Sequence, residues 1–186
     1  IQHNDRLCID APTGVGKTAF WIGYQKGSKF VHGFARRTGQ RVVIVVPTVL
    51  QANQLKKYPG VTSIYGSVSV DMRTAANIAE IVVCTYETLH WVPDIERRIL
   101  VIDEAHNLVN SYGGVDELGK AVGKEFRAKP LRNMLRISKQ AKKTIFISGT
   151  PSHALCRELG CKFVKVKRTI NTQVHIRHIE AATSSN

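Results

Sequence analysis

Leu7-Cys-Ile-Asp-Ala-Pro-Thr-Gly-Val-Gly-Lys-Thr18 is the stretch whose reading decides the fold class. Leu7–Asp10 reads as a short strand that runs into a Gly-rich turn, and a helix opens near Lys17. Gly14 and Gly16 let the backbone between them fold into a concave nest whose successive N–H groups point at one anion. The helix that follows adds its positive end. Lys17 supplies a mobile ammonium for the β- and γ-phosphates of a nucleotide, and Thr18 offers a hydroxyl to Mg²⁺. Pro12, Thr13 and Val15 complete a phosphate-loop pattern in which Ala11 stands where the first Gly is usual. A chance Gly-rich turn would carry the glycines, but not a strand before them and a Lys-Thr pair in register after them.

Other apolar runs repeat the strand. Val42–Val46 (VVIVV), Ile81–Thr85 (IVVCT), Ile99–Asp103 (ILVID) and Thr144–Ser148 (TIFIS) are apolar almost throughout, with weaker runs at Thr62–Tyr65 and Phe163–Val166. Continuous rather than alternating apolarity suits strands buried on both faces. Helical segments are expected between them, among them Val49–Lys57 and Pro130–Gln140. In the latter, Leu131, Met134, Leu135 and Ser138 share one face, and Arg132, Arg136, Lys139 and Lys143 share the other. The alternation predicts an α/β fold, a parallel sheet sandwiched between helices in a single domain. Ligands of such sheets bind at the carboxyl ends of the strands, so chemistry is expected just after Asp10, Val46, Thr85, Asp103 and Ser148.

Val101-Ile-Asp-Glu-Ala-His106 places two carboxylates at the end of a buried strand. That is costly unless a positive charge sits against them, and Mg²⁺ is the natural candidate beside a phosphate loop. Asp103 would hold the ion, directly or through water, and Glu104 would orient and deprotonate an attacking water. The plainer alternative is that Asp103 caps a helix. His106 is expected to point elsewhere, toward a neighbouring polar loop.

Ala11–Thr18 and Asp103-Glu104-Ala105-His106 together resemble the superfamily 2 helicases in their DEAH-box form. The remaining motifs of that family's first, N-terminal motor domain follow in order. Val46-Pro47-Thr48, with Leu50 and Gln54, looks like motif Ia, and Thr85-Tyr-Glu-Thr-Leu89 is similar to the later strand-contacting motif. Ser148-Gly149-Thr150-Pro151 resembles motif III, with Gly149 in a position usually held by Ala. The resemblance runs over about residues 7 to 166. It implies a RecA-like domain that binds ATP and Mg²⁺ and grips one nucleic-acid strand. It further implies that Pro47, Thr48, Gln54 and Thr85 lie near the sugar–phosphate backbone, and that Ser148, Gly149 and Thr150 couple nucleotide state to that grip, partly through His106. Small hydroxyl side chains suit such sequence-blind contacts, although Thr48 and Thr85 could equally be helix N-caps.

The family's motors cleave ATP between two RecA-like domains. Residues 1–168 are expected to form the first, and 169–186 a linker or the start of the second, with Arg177 in a thin match to its first strand. Gln2 lies too close to the phosphate loop to be the family's adenine-reading Gln. The chain starts at Ile1 without Met or a signal-peptide pattern and is expected to be a piece of a longer polypeptide, weak in nucleotide binding and hydrolysis and unable to unwind a duplex alone.

Composition adds a looser constraint. The 186 residues carry 27 Lys and Arg against 14 Asp and Glu, a net charge of +13, which favours polyanionic partners. The surplus is local: residues 1–116 carry +2 and residues 117–168 carry +11. A phosphate track and a solvated helix face are both open readings of the basic stripe. Cys8, Cys84, Cys156 and Cys161 fit neither a disulfide framework nor a zinc ribbon, so reduced thiols and an intracellular setting are expected, cytoplasmic or nuclear, or host cytoplasm for a viral protein. No membrane partner is expected. The helicase resemblance implies a second RecA-like domain of the same polypeptide and a nucleic-acid partner, expected to be single-stranded RNA with DNA as the open alternative. The alternatives are the lobe of a DNA repair, phage or restriction motor, another phosphate-loop nucleotide switch or kinase, or a non-catalytic nucleic-acid-binding module. The nucleotide switch lacks a guanine-reading Asn-Lys-x-Asp segment.

Overall fold

A computed structural model describes residues 6–11, 16–107, 114–115, 121–122, 132–149, 156–157 and 159–166. The strands and helices follow in chain order as β1 (Arg6–Asp10), α1 (Lys17–Trp21), β2 (Gly23–Lys26), β3 (Lys29–His32), α2 (Phe34–Thr38), β4 (Val42–Val46), α3 (Val49–Lys56), β5 (Val61–Ile64), α4 (Val70–Ile78), β6 (Ile81–Thr85), β7 (Ile99–Ile102), the short pair β8 (Gly114–Val115) and β9 (Ala121–Val122), α5 (132–138), β10 (Lys143–Ser148) and β11 (Lys162–Lys165). Seven strands form one sheet in the order β11-β1-β10-β7-β4-β6-β5, and every pairing in it is parallel.

The apolar strand runs are buried on both faces, as their composition requires. Val42, Ile44 and Val46 of β4, Val101 of β7 and Ile147 of β10 face one side, where Trp21, Ala35 and Ala52 of α1, α2 and α3 cover them. Val43, Val45, Leu100, Ile102 and Phe146 face the other, under Ala76 of α4 and Met134 and Ile137 of α5. Alternation of side chains along a strand produces the two cores from one run of residues.

The β4–β7 boundary is where the chain changes direction. From β4 it proceeds outward to β5 and β6, and from β7 it proceeds the other way to β10. Such a switch point leaves a crevice at the carboxyl ends of the strands. Asp103 stands there, one residue past β7, with its N–H bonded to the Val45 carbonyl at 2.9 Å.

Strand–helix alternation does not anticipate the hairpin β2–β3. The helix after the phosphate loop lasts only five residues before Gly23 redirects the chain. Gly23 has φ 130°, and an added Cβ would meet the Val31 carbonyl oxygen at 2.3 Å. Only glycine fits a backbone crossing this close. The turn itself is Gly27-Ser28, with Gly27 in the left-handed region.

Candidate functional site

Gly16 begins the helix side of the phosphate loop at φ 86°, a left-handed conformation natural to glycine, and aims α1 across the sheet edge. Ala11 leaves β1 with its N–H on the Ser148 carbonyl at 2.9 Å, so the two ends of the loop are tied to β10 and α1. Pro12, Thr13, Gly14 and Val15 lie outside the described residues, as do Thr150 and Pro151. Lys17 and Thr18, which follow, point toward the β7 end.

There the Lys17 ammonium lies 3.3 Å from Asp103 Oδ1 and 3.4 Å from Glu104 Oε1. The counter-charge that the acidic pair needs is thus supplied by the protein itself. All three side chains are less than a third exposed. Thr18 and Asp103 line one small cavity of about 20 Å³ together with Lys17. A hydroxyl and a carboxylate on one cavity wall are the oxygen donors that suit Mg²⁺, which binds through one or two carboxylates and keeps the remainder of its shell as water and phosphate. The described residues contain no cluster of three or more His, Cys, Asp or Glu able to cage a metal unaided.

Glu104 has φ 51°, rare for a residue with a side chain. Four bonds surround this turn. Asp103 Oδ1 accepts the Glu104 N–H at 3.0 Å, and the Glu104 carbonyl accepts the Asn107 N–H at 2.9 Å. The Ala105 N–H reaches the Ile147 carbonyl at 2.8 Å, and the Tyr86 hydroxyl donates to the Asp103 carbonyl at 2.8 Å. The left-handed residue reverses the chain, and His106 does not leave the acidic box as the sequence suggests. Its Nδ1 stays 3.3 Å from Glu104 Oε2 while reaching Ser148 Oγ at 3.0 Å. His106 thus does reach a neighbouring polar residue, as expected, but it keeps Glu104 as a second neighbour instead of leaving it. Ser148 is fully buried at the end of β10, next to half-buried Gly149.

The residues expected near a strand divide. Thr48 is exposed, and it caps α3 by accepting the Gln51 N–H at 3.2 Å. Gln54 is exposed on the same helix and Pro47 is half-buried. Thr85 is buried, and its hydroxyl is committed to that of Thr88 at 3.1 Å. Thr88 in turn accepts the Thr85 N–H and donates to the Ile64 carbonyl at 2.7 Å, tying the β6 loop to β5. The Thr85 side chain therefore shapes this loop, and Glu87 and His90 are what the loop exposes. Sequence reasoning missed Thr88 and Tyr86, because the partners of both come from other strands. A second cleft, of about 260 Å³, flanks Lys17 on its far side between Ile9, Ala11, Phe20, Trp21, Ile147 and Val166.

Residues 1–159 match the family described as DEAD/DEAH box helicase. The chain belongs to that family. A comparison with curated proteins finds no match. Among solved structures it is similar to a hypothetical ATP-dependent RNA helicase from Sulfolobus tokodaii, with 19% identity and TM-score 0.54 over 88% of this chain and 48% of that one. A DEAD box protein from Methanococcus jannaschii gives 20% identity and TM-score 0.54 over 89% and 46%. The UvsW helicase of bacteriophage T4 gives 17% and 0.51 over 87% and 54%. At this identity the likeness shows the RecA-like helicase fold, and the chain spans about half the length of the structures it matches. The family as a whole hydrolyses nucleoside triphosphates, generally ATP with Mg²⁺.

Proposed function

We propose that this chain is the first RecA-like lobe, of the DEAH type, of a nucleic-acid-dependent ATPase that moves along or unwinds RNA in preference to DNA. The observation that carries this reading is the convergence of Lys17, Asp103 and Glu104 within 3.4 Å, at the switch point of a parallel sheet. Residues 1–168 form the lobe, and 169–186 lead toward a second RecA-like domain of the same polypeptide that completes the ATP site. The setting is intracellular, in keeping with the thiols of Cys8, Cys84 and Cys156, which are buried and free.

In this mechanism Lys17 exchanges its two carboxylates for the β- and γ-phosphates. Thr18 and Asp103 would hold Mg²⁺, which supplies positive charge against the phosphate oxygens. Glu104, on its fixed left-handed turn, orients water and takes its proton. His106 bridges Glu104 and Ser148, so a change at the carboxylate is felt at the end of β10. The exposed Thr48 and Gln54 rim and the loop that follows β6 meet the sugar–phosphate backbone without reading bases. The apolar cleft beside Phe20 takes the nucleotide base by stacking.

The test is ATP hydrolysis by the polypeptide that carries this domain, with single-stranded RNA or DNA titrated across a salt series. Stimulation by RNA, abolished by Lys17→Ala, is expected. Equal activity in Lys17→Ala refutes the ATPase reading, and a strong preference for DNA refutes the choice of RNA.

A further inference from the structure

Tyr86 is one residue past β6, in the loop proposed to meet the strand. Its ring is 8% exposed and packs in the same buried cluster as Leu89, Ile102 and Ala105. Its hydroxyl bonds to neither β6 nor β4. It donates to the Asp103 carbonyl at 2.8 Å, with the Glu104 carbonyl at 3.4 Å and the Asn107 side chain as further partners. In sheet order β4 lies between β6 and β7, so this side chain crosses over the end of a whole strand. Two strand spacings are about 9.6 Å, a gap that few side chains other than a tyrosine can close with a directed bond.

The bond is rigid at both ends. On the β6 side, Thr85 and Thr88 lock the loop to Ile64. On the β7 side, the accepting carbonyl belongs to the peptide that sets the Glu104 backbone at φ 51°. A displacement of the β6 loop therefore pulls directly on the turn that aims the Glu104 carboxylate. His106 and Ser148 connect the same turn to β10, on its other side.

We infer that Tyr86 is a positioning residue that ties strand occupancy at the β6 loop to the orientation of Glu104, separately from the His106–Ser148 contact. This rests on the proposed function, in which that loop meets a strand and Glu104 handles water.

The test compares Tyr86→Phe with the wild type in the polypeptide that carries this domain. Four quantities are measured: affinity for a non-hydrolysable ATP analogue, affinity for single-stranded RNA, and kcat with and without that RNA. Both affinities are expected to stay within about two-fold, while the stimulation of kcat by RNA falls about five-fold or more, the range of ordinary couplings between sites. A merely structural role would lower the melting temperature and leave stimulation per folded molecule unchanged, and that result overturns the inference. So does loss of RNA affinity with stimulation at saturation intact. If the wild type shows no stimulation by any single strand, the proposed function fails first and takes this inference with it. Phenylalanine keeps the ring that packs the core. Should the variant be folded only in the cold, the same comparison in the cold decides the question.

Discussion

Replacing Glu104 with Gln should make the nucleotide bind more tightly while hydrolysis collapses. The Lys17 ammonium is held 3.3 Å from Asp103 and 3.4 Å from Glu104. A phosphate must take Lys17 away from both. Two unit charges 3.4 Å apart attract by about 5 kcal/mol at an effective dielectric of 20 and by about 1 kcal/mol in bulk water. The side chains are 17% and 27% exposed, so water screens the pair. Desolvation and side-chain ordering offset much of the remainder, and exposed pairs retain roughly 0.2–1 kcal/mol. About 1 kcal/mol released by the neutral amide corresponds to about five-fold tighter binding. Loss of the base should lower kcat by about 10²–10⁴.

A fluorescent, non-hydrolysable ATP analogue separates the two effects, because tighter binding then owes nothing to stalled turnover. Asp103→Asn sharpens the comparison. It too releases Lys17, but it removes the carboxylate assigned to Mg²⁺. Its affinity should rise in chelator and fall, relative to wild type, when Mg²⁺ is present. Unchanged or weaker binding by Glu104→Gln, or an Asp103→Asn variant indifferent to Mg²⁺, would refute the claim that Lys17 is shared between carboxylates and phosphate.

Two further predictions concern the frame around the site. Arg98 is fully buried, and its guanidinium donates to the carbonyls of Pro93, Ala76 and Ala79 at 3.1, 2.6 and 3.0 Å, which closes the C-terminal end of α4. Arg98→Met strands those acceptors at 1–3 kcal/mol apiece before relaxation, so a loss of about 3 kcal/mol and roughly 10 °C in melting temperature is expected by calorimetry. A shift within a degree or two would show that the carbonyls find water. At alkaline pH, burial raises Cys161 from its ordinary 9.0 to about 11, and it drives Cys8 and Cys84 higher still. The folded chain then holds more protons than the unfolded chain above pH 9. Its stability is complete below that pH and falls as pH rises toward 11. Denaturant melts at pH 8 and pH 10.5 should show the decline, and Cys84→Ala should lessen it; equal midpoints in the wild type would contradict the assignment.

The strand runs were the most legible part of the sequence. VVIVV, IVVCT, ILVID and TIFIS declare themselves because parallel strands buried on both faces leave no polar alternation. The observed limits of β4, β6 and β10 lie at or within one residue of those expected. The phosphate-loop and acidic-box residues were legible for a different reason: their chemistry restricts both residue type and spacing. What resisted reading was everything set by contact across strands. The Gly23 crossing is decided by a carbonyl eight residues away, and Tyr86 by a carbonyl across β4. Thr85 shows what residue type alone leaves open. Its hydroxyl fits a backbone contact or a cap in the sequence, and in the structure it is committed to Thr88. Nothing in the sequence sets Arg98 apart from the other Lys and Arg.

The surplus charge has to be divided by where it sits. α5 packs Met134 and Ile137 into the core and leaves Arg132 and Arg136 exposed, with Lys139 exposed just past its end, so the two-faced helix is present over its described residues, while Lys143, expected on the same basic face, instead opens β10. It then delivers the chain to Lys143 at the start of β10, which is the amino edge of the sheet. Lys142 is fixed at that edge, with its N–H on the Arg98 carbonyl at 3.0 Å and its ammonium on Gln40 Oε1 at 2.8 Å, just ahead of β7 and β4. Lys17, Asp103 and Glu104 lie at the carboxyl edge, one strand length away, or about 15 Å for strands of four to six residues. That exceeds the Debye length of roughly 8 Å at physiological salt. The far end of the basic stripe and the Thr48 rim therefore act on a polyanion as separate surfaces. Arg36 and Arg41, which approach β4 from the same amino edge, are already drawn to Glu80 and Asp94 at 3.7 and 3.4 Å. A strand lying across the rim would feel the motif residues and the helix ends beside them far more than the total of +13, and only a strand that wraps around the sheet would meet both surfaces at once.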